Sequence, residues 1–551
     1  MKSYDYIIIG AGSSGCVVAN RLSTNPDVSV CLIEAGGSNK QPWISIPAGV
    51  FVSYSNKKHD YMYQGAPQKH LNNRVLTVNR GKGLGGSSSI NNMVYIRGNR
   101  KDYDAWEQLG CKGWSYDDVL PVFKKIENNQ AGQSAKYHGF NGEVSIVAPQ
   151  DDNEVGRMFI KAGEHANIPA NDDFNSETQF GLGTFNLKQE NGKRVSAYTA
   201  FIQPILSRSN LTVMTETEVL SLNIEGGIED SVEHHNKNLD VKSINIKKQG
   251  VSEVLHCTKE VILSAGVIAS PRILLASGIG NADELKELDI ECKKDLKGVG
   301  ENLQDHIDSM VTVRSNSART IGVSLRTLLT HVIPAPLKYW LSRKGWWTTN
   351  YTEVGGFGKT KYAEANRDEP DIQFHFTPLY RSHRGKNFEF GHGYSLFTCA
   401  LQPKSSGTVK LANDGTKQNV IIDYNFFSDK NGEDQKVLVE GIRKAREILA
   451  SPVFDEIRGE EMAPGNKVQT DDEILEYLRN TATTVYHPVG TCKMGIDEMA
   501  VVDPETLKVI GMNNLRVIDA SIMPKLVSGN TSAPSMMIGE KGASKILQDN
   551  G

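Results

Sequence analysis

The hydrophobic and polar pattern indicates a nucleotide-binding lobe whose pieces are spread along the chain. The first piece, Tyr4 to Glu34, joins a short apolar run, a glycine-rich turn, a helix-like stretch and a second apolar run that ends in an acid. Two β-rich runs at 210–224 and 259–266 form the second piece, and a helical pattern follows them. The third piece is 515–524, followed by a C-terminal helical pattern. The polar stretch 229–240 inside the second piece is typical of an exposed hairpin loop.

Two intervening blocks have a different pattern and predict a second lobe. In the longer block, PDIQFHF, GYSLFTCALQP and GTVKLAN are predicted strands of one sheet, and 436–450 and 471–480 are predicted helices. The sequence therefore predicts an α/β (α+β overall) fold. Its Rossmann-like lobe comprises 1–154, 194–313 and 478–551, and the second lobe, with an antiparallel sheet and helices, comprises 155–193 and 314–477. A ligand is expected in the cleft between them.

The first piece carries a Gly-x-Gly-x-x-Gly turn of the dinucleotide-binding type. Gly10 permits the tight turn, Gly12 lets the backbone approach a pyrophosphate, and Gly15 lets the next helix pack close to the sheet. The pyrophosphate would meet free amides at the start of that helix, at Ser13 and Ser14. Glu34 is placed to accept hydrogen bonds from the adenosine ribose. The alternative is a turn with a purely structural role.

Composition narrows the classes of function. The chain has 551 residues and a formal net charge of −4, which gives no reason to expect a nucleic acid partner. Seven cysteines without a Cys-x-x-Cys pair argue against a disulfide framework and against a metal site, and they favour a reducing cytoplasm. The first piece starts so close to Met1 that we expect no signal or transit peptide.

One segment, 326–349, is unusual for a surface facing water. Leucines, isoleucine, valine and three tryptophans alternate there with Arg326, Lys338, Arg343 and Lys344, as in helices that lie in a membrane interface. No run reaches the ~18 apolar residues that a membrane span requires. Two hypotheses stay open: peripheral contact with the cytoplasmic face of the inner membrane, or a lid or core helix with an aromatic face.

A second glycine-rich stretch, 81–95, reads GKGLGGSSSINNMVY and can wrap closely around a planar or phosphorylated ligand. Together with the first piece and four later motifs, it resembles the glucose–methanol–choline (GMC) family of FAD-dependent oxidoreductases, most closely the bacterial choline and aliphatic-alcohol dehydrogenases. The later motifs are GENLQDH at 300–306, YHPVGTCKMG at 486–495, DASIMP at 519–524 and GNTSAP at 529–534. The family's second signature fits at 270–280, with Val267 as a minor departure.

The resemblance implies roles for individual residues. His487 matches the active-site histidine that takes the hydroxyl proton of an alcohol, and Asn530 matches its partner. Glu353 and His375 match second-lobe residues that face the substrate, whereas His306 matches a structural position near the flavin. The implied FAD-binding residues are Gly10, Gly12, Ser13, Ser14, Gly15, Glu34, Ala35, Arg80, Gly81, Gly86, Ser87, Asn91, Asn92, Met93, Val94, Val219, Ala265, Gly266, Asp519, Ala520, Asn530 and Thr531.

The resemblance also implies that FAD is bound without a covalent link. Relatives that attach FAD use a histidine directly before the asparagine of the first signature, and Ile90 stands there in this chain.

The function implied is oxidation of a primary alcohol to an aldehyde, with the hydride passing to flavin N5 and the electrons then to a quinone or another acceptor. An uncharged alcohol is favoured over choline. An oxidase that uses O2 is a further alternative, and a lyase or an FAD-binding scaffold without redox turnover is the remote one.

Overall fold

The computed structural model describes residues 2–54, 56–150, 153–226, 239–363, 369–380 and 390–550. Most of the loop predicted at 229–240 lies outside these residues. In chain order, the described α-helices are α1 (Ser13–Leu22), α2 (Pro42–Ser45), α3 (Val50–Ser53), α4 (Arg100–Gln108), α5 (Tyr116–Ile126), α6 (Glu154–Ala162), α7 (Gly266–Ala276), α8 (Ala282–Glu287), α9 (Leu325–Thr327), α10 (Ala335–Ser342), α11 (Glu433–Leu449), α12 (Asp471–Thr481) and α13 (Ser532–Asn550).

The described strands, again in chain order, are β1 (Ser3–Ile9), β2 (Val30–Ile33), β3 (Tyr63–Gln64), β4 (Thr77–Val78), β5 (Glu127–Asn129), β6 (Val144–Val147), β7 (Gly181–Thr184), β8 (Leu187–Glu190), β9 (Lys193–Arg194), β10 (Leu211–Met214), β11 (Thr217–Glu225), β12 (Asp240–Lys248), β13 (Val251–Leu263), β14 (Ile279–Gly280), β15 (Lys294–Asp295), β16 (Ile307–Ser315), β17 (Ile321–Val323), β18 (Val354–Gly358), β19 (Ile372–Thr377), β20 (Gly391–Ala400), β21 (Thr408–Leu411), β22 (Val420–Asp423), β23 (Glu461–Ala463), β24 (Thr483–Thr484) and β25 (Leu515–Val517).

The first lobe is built on a seven-stranded mixed sheet with the order β10-β2-β1-β13-β12-β11 and with β25 beside β13. The pairs β10–β2, β2–β1, β1–β13 and β13–β25 are parallel. Strands β11, β12 and β13 form an antiparallel meander. Because the strands come from the start, middle and end of the chain, the structure confirms a Rossmann-like lobe made of separated segments.

Helices cover this sheet because its central strands are apolar on both faces, as all four residues of β2 are buried. Helix α1 follows β1 through the glycine-rich turn, and α13 packs against α1. Their close approach depends on Gly539, where an added Cβ would lie 2.8 Å from the Ser14 carbonyl oxygen.

The second lobe is built on an eight-stranded sheet with the order β23-β16-β20-β19-β18-β7, joined by β17 and β24. All of its pairs are antiparallel, as predicted, and α11 and α12 form where helices were predicted. The boundary predicted at 313/314 falls inside β16. The assignment of GTVKLAN to this sheet was wrong, since β21 pairs with β22 in a separate ribbon. Mutual backbone bonds between Leu303 and Gly407 draw the chain after β20 towards the first lobe instead.

Candidate active site

A cavity of about 1090 Å³ lies where the two lobes meet. It is lined by nearly all the residues that the sequence singled out, namely Gly10, Gly12, Ser13, Ser14, Glu34, Ala35, Arg80, Gly81, Gly86, Ser87, Asn91, Asn92, Met93, Val94, Val219, Ala265, Gly266, His375, His487, Asp519, Ala520, Asn530 and Thr531. Gly15 and Glu353 do not line it. The predicted motifs, although far apart in the chain, thus surround one space.

The glycines of the first turn occupy three different environments. Gly10 has a φ of +104°, a conformation that L side chains rarely adopt. A Cβ on Gly15 would lie 1.9 Å from the Gly10 carbonyl oxygen, so this glycine permits the packing of α1 onto the turn. A Cβ on Gly12 would have its nearest neighbour, the Ser264 carbonyl oxygen, at 3.9 Å. The protein itself therefore leaves room at Gly12, where a ligand can approach the backbone.

Glu34 joins the two glycine-rich segments. Its carboxylate accepts hydrogen bonds from the backbone N–H groups of Ala11 at 3.1 Å, Gly36 at 2.9 Å and Gly83 at 2.9 Å. Burial raises the pKa of this carboxyl group, and the three N–H donors oppose that shift. Because a carboxylate offers about four lone-pair sites, roughly one is left for a ligand in the cavity. Sequence reasoning found Glu34 but missed this tethering role.

The chemistry of the cavity wall fits a dinucleotide such as FAD. No side chain caps the N-terminus of α1 at Gly12, so its first amides are open to an anion. Arg272 lines the cavity and donates to the Val219 carbonyl at 2.7 Å through Nη2, while its buried Nη1 has no partner in the part of the chain that the structure describes. A buried, unpartnered donor of this kind is satisfied by an acceptor on a bound ligand. Arg272 was missed because a lone arginine inside a helical pattern carries no motif.

A chain of hydrogen bonds determines which nitrogen of His487 is free. His306 Nε2 lies 3.1 Å from the Leu401 carbonyl oxygen and must donate to it, so neutral His306 has a bare Nδ1. That Nδ1 lies 3.0 Å from His487 Nδ1, which therefore carries the proton. His487 Nε2 is then left with a lone pair, and the Asn530 amide Nδ2 donates to it at 3.0 Å.

The three buried histidines of this centre are neutral near pH 7. Burial lowers the pKa of His306 to about 3 and that of His375 to about 4. Burial also lowers the pKa of His487 well below its ordinary value, with further contributions from His306, His375 and Arg80. His487 Nε2 is consequently available as a proton acceptor at neutral pH.

The backbone around His487 is held in an uncommon conformation. Tyr486 has a φ of +67°, in the left-handed region that bulky residues rarely occupy. Arg80 donates to the Tyr486 carbonyl at 2.6 Å, and the Asp305 carboxylate accepts from the His487 N–H at 2.8 Å. Burial raises the pKa of Asp305 to about 7. Arg80, predicted to bind the cofactor, thus lines the cavity and also supports the histidine loop.

Asn530 is positioned from the second lobe. Gln373, on β19, donates through Nε2 to the Asn530 Oδ1 atom at 3.3 Å. This contact leaves the Asn530 amide N–H group directed at His487. No sequence pattern indicates a role for Gln373, because one buried glutamine in a strand is usually explained by packing alone.

The second lobe supplies the side-chain wall of the cavity through Asp308, Thr352, His375, Thr377 and Phe397. Glu353 was predicted to face substrate, but the preceding Thr352 lies on the lining instead. The carboxylate on this wall belongs to Asp308, which was missed. No local pattern in the sequence identifies Asp308, because its place on the wall depends on the pairing of β16 with β20.

Outside the cavity, the segment 325–347 forms α9, a π-helical turn at Leu328–Val332 and α10. Most of its large apolar side chains face solvent, and Leu325, Trp340 and Leu341 are 71%, 72% and 69% exposed. Positions 309–352 contain six lysines or arginines and no aspartate or glutamate. This apolar, basic surface is named the 325–347 patch below. In the described part of the chain, every helix is too short or too polar to cross a membrane.

Comparison with known proteins gives a consistent result. Residues 4–308 and 403–539 match the N- and C-terminal family models described as GMC oxidoreductase. The chain is 42% identical to an alcohol dehydrogenase (acceptor) from Pseudomonas putida, covering 99% of this chain and 96% of that protein. It is 39% identical to an oxygen-dependent choline dehydrogenase from Sinorhizobium fredii, covering 98% and 95%.

Solved structures match over the same length. Pyridoxine 4-oxidase from Mesorbium loti superposes with a TM-score of 0.85 at 28% identity, covering 99% of both chains. A variant of the formate oxidase from Aspergillus oryzae superposes with a TM-score of 0.89 at 25% identity, covering 100% of this chain and 98% of that one.

Proposed function

This chain belongs to the GMC oxidoreductase family, whose members depend on FAD, and from that premise we propose that it is an FAD-dependent dehydrogenase that oxidises a primary alcohol to an aldehyde. The observation that carries the proposal is the unprotonated Nε2 of neutral His487 on the wall of the cavity, with the amide nitrogen of Asn530 3.0 Å away. A proton acceptor beside an amide donor is the arrangement that an alcohol hydroxyl requires.

In the proposed reaction, the hydroxyl of the alcohol replaces the His487–Asn530 contact. His487 Nε2 accepts the hydroxyl proton, and the Asn530 N–H donates to the same oxygen and orients it. His306 Nδ1 accepts from the His487 Nδ1–H and thereby stabilises the imidazolium that forms. The glycine-rich segments, Glu34, Arg272 and the start of α1 would hold FAD, which supplies the acceptor for the hydride of the carbinol carbon.

We favour an uncharged primary alcohol as substrate. The wall from the second lobe is mostly neutral, with Thr352, Thr377, His375 and Phe397, and burial keeps His375 uncharged. Choline is the second candidate, because Asp308 places one carboxylate on the same wall as the aromatic ring of Phe397 and such a pair can bind a trimethylammonium group.

The test is anaerobic stopped-flow mixing of the FAD-loaded protein with choline, medium-chain alkanols and benzyl alcohol. Loss of flavin absorbance at about 450 nm with one of them, and retention of colour in His487→Ala, is the expected result. Retention of colour in the wild type with every alcohol would count against a dehydrogenase and favour the lyase or scaffold alternative.

For the electron acceptor, we propose a quinone reached through peripheral membrane contact of the 325–347 patch. Its apolar side chains can enter the acyl boundary while its unopposed basic residues meet anionic headgroups. The formal net charge of the whole chain is −4, so the charge of this segment is opposite in sign to that of the protein as a whole. An oxidase that uses O2 is the alternative.

Flotation with anionic phosphatidylglycerol vesicles tests the contact. The double variant Trp340→Ser, Leu341→Ser should stay at the bottom of the gradient as unbound protein, whereas the wild type should float with the vesicles. Ile496→Ser is the matched control, since Ile496 is 76% exposed but lies outside the patch. Equal flotation of all three proteins contradicts the membrane proposal. Reoxidation of the reduced protein by a quinone analogue or by air then distinguishes dehydrogenase from oxidase.

A further inference from the structure

Lys188 is a basic side chain buried where a positive charge is costly to hold. It lies on β8, its side chain is 0% exposed, and the hydrogen-bond acceptor that its Nζ atom reaches is the Ser532 hydroxyl. Within the described residues, no carboxylate forms an ion pair with Lys188. An ammonium group carries three donors and no acceptor, so two of its N–H groups lack a partner among the described residues.

A second buried cation, Arg194, lies on the adjoining β9. Its Nε donates to the Ile44 carbonyl at 3.0 Å, and its Nη1 donates to the Asn91 Oδ1 atom at 3.0 Å. Its Nη2 is buried, and among the described residues this nitrogen has no hydrogen-bond partner and Arg194 has no carboxylate partner. Two buried cations without a counter-charge are therefore present in this part of the wall.

Both cations lie directly behind residues that line the cavity. Ser532, the partner of Lys188, lines it and is the first residue of α13, where the helix dipole is also positive. Met93, whose carbonyl accepts the Lys188 backbone N–H at 2.9 Å, lines it too, as does Asn91. The charges thus converge on one stretch of the wall that the sequence assigns to the flavin.

The Lys188 bond also determines the direction of the Ser532 hydroxyl. Because the ammonium can only donate, the Ser532 Oγ atom must accept, and its own hydrogen is left to donate elsewhere. Ser532 lies on the lining, so this donor is available to an acceptor in the cavity. An anion there would gain one hydrogen bond and the field of the cation behind it.

Charge balance shows when such an anion arises. In the proposed reaction an alcohol loses its hydroxyl proton to His487 and a hydride to the cofactor, forming the C=O bond of the aldehyde. The proton stays on His487. The hydride brings two electrons and one hydrogen nucleus to the cofactor, so the reduced cofactor is one charge unit more negative than the oxidised one. A cation next to the cofactor therefore favours the reduced state.

We propose that Lys188 is a positioning residue that stabilises the reduced, anionic cofactor through the Ser532 hydroxyl and the start of α13. This inference rests on FAD binding in the proposed function and does not depend on which alcohol is oxidised. Burial, with a contribution from Arg194, lowers the pKa of Lys188 to about 7. Negative charge in the cavity opposes that shift and retains the proton on Lys188.

The test compares Lys188→Met and Lys188→Gln with Lys193→Met, which removes the same charge from an exposed position on β9. In FAD-loaded protein, we expect both Lys188 variants to have a more negative flavin midpoint potential. Sulfite, which adds to oxidised flavin and leaves the ring system negative, should bind them about tenfold more weakly, the equivalent of one pKa unit of interaction. Lys193→Met should match wild type in both measurements.

Thermal unfolding of the FAD-loaded, oxidised proteins separates this role from a structural one. Because an unpaired buried charge is removed, Lys188→Met should unfold at the same or a higher temperature than wild type. An unchanged potential and sulfite affinity in the loaded variants would overturn the proposal. Loss of oxidised FAD from both Lys188 variants would also overturn the proposal, since it would indicate that Lys188 supports the fold. Neither measurement uses an alcohol, so failure of the alcohol test leaves this result standing.

Discussion

The two walls of the central cavity are made in different ways. The first lobe presents mostly backbone, in glycine-rich turns whose shape is determined by positions such as Gly10 and Gly15 and tied together by Glu34. The second lobe presents side chains from a regular antiparallel sheet, among them Asp308, Thr377 and Phe397. The difference indicates that the first wall has little freedom to vary, whereas the second can change its specificity by single substitutions without changing the fold.

The largest expected effect separates two glycines of the backbone wall. Gly15→Ala should prevent accumulation of folded, FAD-containing protein, because its Cβ would lie 1.9 Å from a backbone oxygen. Gly12→Ala should fold, since its nearest protein atom is 3.9 Å away, yet bind FAD much more weakly. Circular dichroism and FAD titration of the purified proteins measure both properties. Equal behaviour of the two variants would refute this division of roles.

Removal of the proton acceptor is the next largest effect. His487→Ala should lower kcat by about 10²–10⁴-fold, the usual contribution of a general base, while FAD content stays near that of wild type. Single-turnover flavin reduction under anaerobic conditions measures the step directly. A loss of FAD comparable to the loss of activity would instead place His487 in the cofactor wall.

The supporting histidine should matter less. His306→Leu removes the acceptor for the His487 Nδ1–H, so both tautomers of His487 become populated and we expect a loss in kcat of roughly tenfold. The Km for the alcohol should change little, because His306 is not on the cavity lining. As a matched comparison, the ratio of the His306→Leu rate to the wild-type rate is measured with two alcohols of different length. This ratio should be the same for the two alcohols.

A substitution on the side-chain wall should alter preference more than rate. Asp308→Asn removes the carboxylate of that wall, and we expect the ratio of kcat/KM for choline to that for an uncharged alkanol to fall several-fold, about 1 kcal/mol of selectivity. Glu353→Gln is the control, because Glu353 does not line the cavity. A larger change for Glu353→Gln would restore the role that the sequence suggested for it.

The smallest effect concerns pH and stability. Because burial lowers the pKa of His375 to about 4, its neutral form stabilises the fold above its ordinary pKa of about 6.5, and this stability is lost as the pH falls towards 4. His375→Gln should lose less thermal stability between those pH values than wild type, by about 2 °C. Flavin release monitored by fluorescence at several pH values gives the comparison.

The predictability of the two walls follows from their construction. The backbone wall depends on residues that are close together in sequence, such as those from Gly10 to Glu34. The sequence motif therefore already predicts which of these residues lie together in the structure. Asp308, Gln373 and Arg272 reach the site only because distant strands and helices are paired, and no local pattern identifies them. The separation of β21 from the second-lobe sheet was also missed, because it accompanies backbone bonds between Leu303 and Gly407, which are distant in the chain.

The Rossmann-like sheet also constrains the order of events during protein synthesis. Ile9 of β1 pairs with Leu263 of β13, Leu263 in turn pairs with Val517 of β25, and α13 packs on α1 at Gly539. At ribosomal speeds of about 5–20 residues per second, the start of the chain waits roughly 25–100 s for its last partner. Until then β13 lacks its pairing with β25, and the cavity is complete only once Thr531 and Ser532, which line it, have been synthesised.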